Sequence, residues 1–167
     1  MKIAILTYHN ALNYGAILQT YALQKKLIDL GINSEILDYH CRQISINQNP
    51  FTLLKIIHFR SFFYGLFNNK ISIPNKNSFK NFITHELIIS KRFNRRNISN
   101  SNAIYDSFLV GSDQVWNLEM NNYDTTYLLD FTSKSKFSYA SSLGIDLINQ
   151  RQKYYYLKYL KDFKNVI

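Results

Sequence analysis

Short apolar runs, separated by polar turns and helical stretches, recur along this 167-residue chain. The runs Lys2–Tyr8 and Ile104–Val110 are almost continuous in apolar residues, which is typical of strands in a buried parallel sheet. Tyr14–Leu30 has a helical pattern that Gly31 ends. Asn33–Tyr39 follows as a second strand, so the opening of the chain predicts a right-handed βαβ unit with a parallel strand pair.

The first predicted helix carries apolar residues on two of its sides. One side holds Ile17, Leu18, Tyr21 and Ile28, and the other holds Leu23, Leu27 and Leu30. A helix of this kind needs cover from two elements, so we expect the sheet on one side and another element on the other.

A long insertion, at about Gln48–Asn102, interrupts the alternation of strands and helices. Its pattern predicts an apolar and basic helix at Phe51–Phe67, a break at Pro74 and a second helix near Ser78–His85. A weaker pattern at Leu87–Ser90 indicates a short strand.

The alternation then resumes. Apolar runs predict strands near Tyr127–Phe131 and at Phe137–Ser141, and a final helix at about Ile145–Phe163. Lys164–Ile167 has the pattern of a further strand that opens here, so we expect the fold to extend beyond this chain. The pattern as a whole predicts one α/β domain over residues 1–167, a Rossmann-like parallel sheet flanked by helices.

The candidate site follows the strand that ends at Val110. The next residues combine a glycine, a hydroxyl, a carboxylate, two amides and an indole: Gly111, Ser112, Asp113, Gln114, Trp116 and Asn117. Open α/β sheets build ligand sites from residues at the carboxyl ends of their strands. The sequence therefore predicts a ligand site at residues 111–117.

Two of these residues have two interpretations each. Asp113 can act as a general base toward a sugar hydroxyl, or hold that hydroxyl by a charge-assisted hydrogen bond. Alternatively, it caps a short helix that begins at Gln114. Trp116 is the only tryptophan of the chain, and it either stacks on a sugar ring or fills the core below the loop.

Other polar residues follow strands at the same predicted edge. His9 either reaches the cleft as an acid, a base or an anion contact, or is a hydrogen-bonded turn histidine. Asn13 and Gly15 either bind an anion or a sugar at the start of the first helix, or serve as its cap and turn. Ser141 and Ser142 either complete the polar rim or cap the last helix.

The remaining chemistry-bearing residues lack a recognisable motif. Asp38, about twenty residues beyond the first turn, is either comparable to the ribose-binding acid of a nicotinamide enzyme or a solvent-facing acid at its strand end. His40 stands beside Cys41 without the further ligands that zinc requires. Gly111-Ser112-Asp113 lacks the second glycine of a nucleophile elbow. The sequence predicts neither a metal site nor a cofactor.

The formal charge of +9 raises the question of an anionic partner. No recognition helix, aromatic single-strand platform or zinc-ligand spacing accompanies this charge, so nucleic-acid binding is not predicted. A phosphorylated small molecule or a lipid-phosphate acceptor explains it equally well. The Phe51–Phe67 segment is too short and too charged to span a bilayer, and it either contacts an anionic membrane surface or covers the core.

Two features indicate a cytoplasmic protein. The one cysteine, Cys41, cannot form an internal disulfide, which fits a reducing compartment. Met1 leads directly into a strand pattern, without the basic and apolar regions of a signal peptide.

Five blocks of sequence stand in a fixed order along the chain. They are the opening strand, the turn and helix at Asn13–Gln24, and then Val110–Asn117, Tyr127–Phe131 and Ser138–Gly144. Together they resemble the polysaccharide pyruvyl transferase family. The resemblance implies transfer of a pyruvyl group from phosphoenolpyruvate to a sugar hydroxyl, forming a ketal, on a surface polysaccharide such as a capsule or on its lipid-linked oligosaccharide precursor.

The resemblance covers only the amino-terminal half of enzymes that have two Rossmann-like domains in a glycosyltransferase-B-like arrangement. It implies that the groups holding phosphoenolpyruvate lie largely in the second domain, and that this chain supplies the acceptor side and is inactive alone. Two other functions stay open. They are a glycosyltransferase-like enzyme with a nucleotide-sugar donor, and a non-catalytic sugar-binding module.

Overall fold

The computed structural model of the protein describes residues 1–10, 13–41 and 76–166. Within these ranges, one sheet contains five strands in the order β2-β1-β3-β4-β5, and every pair of neighbours is parallel. The strands are β1 (Lys2–Leu6), β2 (Asn33–Ile36), β3 (Ser107–Val110), β4 (Ser135–Ser138) and β5 (Phe163–Val166). The predicted α/β class with a parallel sheet is confirmed.

Helices connect the strands. The α-helices are α1 (Tyr14–Asp29), α2 (Lys76–Glu86) and α3 (Gln150–Tyr159), and the 3-10 helices are Ile98–Ala103, Thr125–Leu128 and Leu160–Asp162. The helix predicted near Ser78–His85 is therefore present as α2, and the strand predicted to open at Lys164 is present as β5.

The strand predicted near Tyr127–Phe131 is wrong, because this segment forms the 3-10 helix Thr125–Leu128. The Asp124 side chain accepts a hydrogen bond from Thr126 N and so starts the turn, and Leu129 ends it with a φ of +54°. The apolar run fills the core instead of joining the sheet.

Three further predictions differ from the structure. The strand predicted at Phe137–Ser141 is β4, which lies slightly earlier, at Ser135–Ser138. The last helix begins at Gln150 rather than near Ile145, because Asn149 and Gln152 form a capping box there. The pattern at Leu87–Ser90 gives a single parallel bridge between Ile89 and Ile36 rather than a strand.

The second cover of α1 is α2. The Tyr14 ring lies 4.4 Å from the Phe79 ring, and the Tyr21 ring lies 5.5 Å from the Phe82 ring in an edge-to-face arrangement. On its sheet side, α1 buries Leu23, which packs in one hydrophobic cluster with Ile3, Ile5 and Ile36 of the sheet. The expectation of two covering elements is thus met, although Leu18 and Leu30 stay exposed.

Part of the predicted insertion lies outside the described residues. This applies to the Phe51–Phe67 helix with its membrane alternative, to the break at Pro74 and to the start of the insertion at Gln48. None of the described helices has both the length and the apolar character needed to cross a bilayer.

Candidate functional site

The carboxyl ends of β2, β1, β3 and β4 form one polar edge of the sheet. Backbone hydrogen bonds continue the strand pairing at this edge: Leu37 N to Ile5 O (2.8 Å), Gly111 N to Leu6 O (3.1 Å) and Tyr139 N to Val110 O (3.0 Å). The chain runs from β1 outward to β2 and then crosses to β3 on the other side of β1. Open α/β sheets bind ligands at such a switch point, so this edge is the candidate site.

Gly111 is shaped by the neighbouring strand end. Its φ is +113°, and a Cβ added there would overlap the Tyr139 carbonyl oxygen and lie 2.6 Å from Ser141 Oγ. The Ser141 hydroxyl donates to Val110 O at 3.0 Å. Gly111 is therefore required by the packing of two backbones, and the Ser141 hydroxyl holds the end of β3.

Ser112 joins the turn to β1 and α1. Its carbonyl oxygen accepts a hydrogen bond from Thr7 Oγ1 at 2.9 Å, and its own hydroxyl donates to Gln19 Oε1 at 3.2 Å. Ser112 is buried. Ser112 and Gln19 thus connect the 111–117 turn to the first part of α1, and the Ser112 hydroxyl is already engaged.

The start of α1 is capped by Asn13. Its Oδ1 atom accepts hydrogen bonds from Gly15 N (2.8 Å) and Ala16 N (3.4 Å), and its carbonyl oxygen accepts one from Ile17 N. A Cβ on Gly15 would lie 3.2 Å from Asn13 Oδ1, so the glycine leaves room for the cap. The capping alternative for Asn13 is confirmed, and these amide groups are not free for an anion.

Asp113 is the half-buried carboxylate of the turn. Its backbone pairs with the segment after β4, where Asp113 N donates to Ala140 O (3.2 Å) and Ser142 N donates to Asp113 O (3.0 Å). Its Oδ1 atom accepts from Gln114 N at 2.7 Å, and Oδ2 has no hydrogen-bond partner among the described residues. Residue 114 begins a turn and not a helix, so the helix-capping alternative is wrong.

Trp116 and Asn117 face the core. The Trp116 indole donates to Tyr127 O at 3.1 Å and packs edge-to-face on Phe163, and only 5% of the residue is exposed. The Asn117 side chain accepts from Met120 N at 3.0 Å. Of the two interpretations of Trp116, the structure favours the one in which it fills the core.

Gln114 and Ser142 are the exposed polar side chains of this rim. The Gln114 side chain packs on Gly144, whose φ of +59° brings its backbone close. Neither Ser141 nor Ser142 caps the last helix, since Asn149 does so. Together with Asp113, Gln114 and Ser142 offer a carboxylate, an amide and a hydroxyl to a polar ligand.

A second polar group lies at the ends of β1 and β2. The Asp38 Oδ1 atom is 3.1 Å from His9 Nε2, 3.0 Å from His40 Nε2 and 3.3 Å from Asn10 Nδ2, and Arg92 Nε is 3.4 Å from Oδ2. The His9 side chain is 1% exposed, with Nδ1 3.3 Å from Thr7 O, so His9 is a buried, hydrogen-bonded histidine. We call these five residues the Asp38 cluster.

The electrostatics of the cluster follow from burial and charge. Burial alone would raise the pKa of Asp38, but the hydrogen bond from His9 and the charges of His9, His40 and Arg92 lower it to about 2. Burial lowers the pKa of His40, and Arg92 and His9 act in the same direction, against the Asp38 charge. Asp38 is thus firmly ionised at neutral pH, and His40 is neutral.

Of the two interpretations of Asp38, the solvent-facing one is wrong, because its side chain is only 15% exposed and is surrounded by the cluster. The spacing Asp38-x-His40 was the available signal, since residues two apart in an extended segment point to the same side. Arg92 is 54 residues further along the chain, and no local pattern connects it to Asp38.

A cavity of about 450 Å³ lies at the other edge of the sheet, by the start of β4. It is lined by Asp130, Thr132, Ser133, Lys134, Lys136, Tyr159 and Asp162. Its position is remote from the strand ends that carry Asp113 and Asp38. Among the described residues, no group of three or more histidine, cysteine or acidic side chains is arranged to hold a metal ion.

Comparison with known proteins identifies the family. The family model described as polysaccharide pyruvyl transferase matches residues 13–167, which is most of the chain. No individual curated protein and no solved structure gives a significant match. The chain belongs to the polysaccharide pyruvyl transferase family.

The geometry at Gly111 gives a stability prediction. Gly111→Ala is expected to destabilise the fold by about 2 kcal/mol or more, because the added methyl group overlaps the Tyr139 carbonyl and the backbone φ disfavours a side chain. Gly31→Ala is the control, since Gly31 also has a positive φ (+76°) but open space around its Cβ position. Urea unfolding that shows equal losses for both variants would contradict the proposed contact.

The Asp38 cluster gives a pH prediction. A carboxylate with a lowered pKa stabilises the fold above its unfolded pKa, and this contribution disappears as the pH falls toward the folded value. Asp38→Asn is therefore expected to lower the free energy of unfolding by about 2 kcal/mol above pH ~4. Between pH ~4 and ~2, the free energy of unfolding of the variant should fall less with pH than that of the wild type. Urea titrations across this range test it, with the exposed Asp146→Asn as control. Parallel stability curves for wild type and Asp38→Asn would be inconsistent with the lowered pKa.

Proposed function

We propose that this protein takes part in pyruvyl transfer from phosphoenolpyruvate to hydroxyl groups of a sugar in a surface polysaccharide or its lipid-linked precursor. The observation that carries the proposal is the family match over residues 13–167, together with a strand-end turn that keeps one Asp113 carboxylate oxygen open. The site lies at the switch point of the sheet, which is where such folds bind ligands.

Asp113 is the proposed acceptor-side base. Its backbone is fixed by hydrogen bonds to residues 140 and 142, and Oδ1 is engaged by Gln114 N, so Oδ2 is presented in a defined direction. A carboxylate placed in this way takes a proton from a sugar hydroxyl, or holds that hydroxyl by a charge-assisted hydrogen bond. The exposed side chains of Gln114 and Ser142 are proposed to contact neighbouring hydroxyl groups of the same sugar.

The donor is a small, highly charged anion, and it needs cationic partners. Within the described ranges, no lysine or arginine forms a hydrogen bond or ion pair with residues 111–117, and Arg92 is engaged by Asp38. We therefore propose that most donor-binding groups come from a second domain in a glycosyltransferase-B-like arrangement. We also propose that the reaction takes place in the cytoplasm, at the inner face of the membrane where a lipid-linked acceptor would lie.

The first test concerns the acceptor side. Asp113→Asn is expected to weaken binding of a sugar diol by about tenfold or more, because it removes a hydrogen bond to a charged oxygen. Asparagine tolerates positive φ values, so the turn should keep its shape. Calorimetry with methyl glycosides that carry free 4,6- or 3,4-diols measures the effect.

Asp146→Asn is the matched control, because Asp146 is exposed and follows the same rim. Equal affinities of the wild type and Asp113→Asn for a bound glycoside would remove Asp113 from the site. Failure of every glycoside in the panel to bind the wild type would argue against an acceptor site at this edge.

The second test asks whether this chain catalyses the transfer without the proposed second domain. The purified 167-residue protein, incubated with phosphoenolpyruvate and the same glycosides, is expected to release no phosphate and form no ketal, because in the proposed arrangement most donor-binding groups and the second wall of the site belong to the second domain. Phosphate release is followed by ³¹P NMR, and the ketal by its methyl proton signal. Turnover by the monomeric protein would show that the donor-binding groups lie within this sequence.

A further inference from the structure

Ketal formation moves two protons. When two hydroxyl groups of one sugar add to C2 of phosphoenolpyruvate and phosphate leaves, two O–H bonds break. One proton ends on the methylene carbon, which becomes a methyl group, and the other leaves on hydrogen phosphate. Asp113 serves one of these transfers in the proposed function. A second proton-handling group at the same edge would carry the other transfer through a residue of its own.

His40 has the geometry of such a group. Its Nε2 atom lies 3.0 Å from Asp38 Oδ1, and the side chain is 33% exposed. The same Nε2 atom lies 3.1 Å from the Asn10 amide nitrogen, which in turn lies 3.3 Å from Asp38 Oδ1. A carboxylate oxygen only accepts hydrogen bonds, and a bond to this ionised group is the stronger of the two, so the hydrogen is assigned to Nε2. The Asn10 amide then donates to the carboxylate oxygen. The neutral imidazole consequently carries its lone pair on Nδ1, which has no partner among the described residues.

Asp38 is fixed from three directions. His9 approaches from the end of β1, Arg92 from the segment after α2, and the Ser90 hydroxyl lies 3.0 Å from Asp38 N. A carboxylate held in this way fixes the tautomer and the orientation of the imidazole that it contacts, as the acid of a catalytic triad does. Asp38 is thus a positioning residue and His40 is the group that meets solvent.

The two proton-handling groups flank one strand. Asp113 follows β3 and Asp38-x-His40 follows β2, with β1 between them. Two strand spacings separate the ends of β2 and β3, so these ends lie about 10 Å apart. This separation leaves room for one sugar ring above the end of β1.

We propose that His40, positioned by Asp38, accepts the proton of one acceptor hydroxyl at Nδ1 and delivers it to the methylene carbon of the donor. The hydroxyl O–H bond breaks, its oxygen forms a bond to C2, and the electron pair of the C=C bond takes the proton from the imidazolium. His40 returns to its neutral form without any further reactant. The inference rests on the proposed function for the identity of the hydroxyl and the donor.

The surrounding charges suit a base that works at neutral pH. The groups that face His40 are Asp38, Arg92 and His9, and the net effect of burial and these charges is a lowered pKa. The pKa of the imidazole therefore lies below the usual histidine value. Above this lowered pKa His40 is unprotonated and can act as a base, and below it His40 is protonated and cannot.

The first measurement reads the tautomer without any substrate. Long-range ¹H–¹⁵N NMR of the 167-residue protein at pH 8 is expected to show His40 with the hydrogen on Nε2, and Asp38→Asn is expected to give mixed tautomers and a still lower His40 pKa. His85→Gln is the control variant, since His85 is exposed on α2. A hydrogen on Nδ1 in the wild type, or no change in Asp38→Asn, overturns the proposal.

The second measurement reads the basicity of Nδ1 with p-nitrophenyl acetate. Hydrolysis by the wild type is expected to rise with pH to a plateau, with a midpoint below the usual histidine value. His40→Gln should lose this rate and Asp38→Asn should lower it, while His85→Gln keeps it. A rate that persists in His40→Gln overturns the proposal. A far-ultraviolet circular dichroism spectrum confirms that each variant is folded.

The third measurement tests whether the Asp38–His40 pair lies beside the bound acceptor. A glycoside that binds in the calorimetric panel is expected to shift the His40 ring signals and leave those of His85 unchanged. Binding that leaves His40 unmoved overturns the assignment to the acceptor. The tautomer and ester measurements use no phosphoenolpyruvate and no sugar, so they test the Asp38–His40 pair even where the proposed function fails. The calorimetric panel of glycosides tests the proposed function even where the Asp38–His40 pair fails.

Discussion

The close approach of the β3 end to the β4 end is the constraint on which the candidate site depends. Gly111 allows this approach because a Cβ there would overlap the Tyr139 carbonyl, and the Ser141 hydroxyl then reaches Val110 O. Pairing continues past both strands, where the backbone of Asp113 exchanges hydrogen bonds with residues 140 and 142. The turn is thereby a rigid extension of the sheet, and the direction of the Asp113 carboxylate is set by backbone geometry.

A second set of buried polar contacts fixes the position of the Asp38 cluster, which forms the other half of this edge. The Gln24 side chain donates to Ile88 O at 2.8 Å and accepts from Ile88 N at 3.0 Å, so α1 holds the segment that follows α2. This segment also bonds to the end of β2, where Phe93 N donates to Asp38 O at 2.7 Å. Buried polar groups of this kind are costly to leave unpaired, so they define one register. Arg92 reaches Asp38 only because this register is fixed.

The sequence predicts the two central strands well because β1 and β3 are short, nearly continuous apolar runs, whereas at least half of each of β2, β4 and β5 is polar. The same rule fails at Leu128 and Leu129, where an equally apolar run is a 3-10 helix, because the cap at Asp124 and the left-handed Leu129 decide the backbone. The 111–117 turn was predictable from its position after a strand. The alternatives for Trp116 were not separable by sequence, since its burial depends on Phe163 and Tyr127. The Asp38 cluster depends on contacts between residues 9, 38 and 92, which no local pattern contains.

The two halves of the edge differ in how they hold charge, and this difference suits them to different steps. Asp113 has one carboxylate oxygen bound by a backbone amide and, among the described residues, no cation as a hydrogen-bond partner, so in the proposed site its negative charge is offered to the acceptor. The charge of Asp38 is neutralised by Arg92 and shared with two imidazoles, so what this half offers to a ligand is a neutral imidazole nitrogen. In the proposed reaction, a hydroxyl bound between them meets a fixed anion on one side and a proton carrier on the other. Because a carrier that is neutral both before and after the transfer needs no counterion of its own, His40 can lie beside an anionic donor without a cation to balance it.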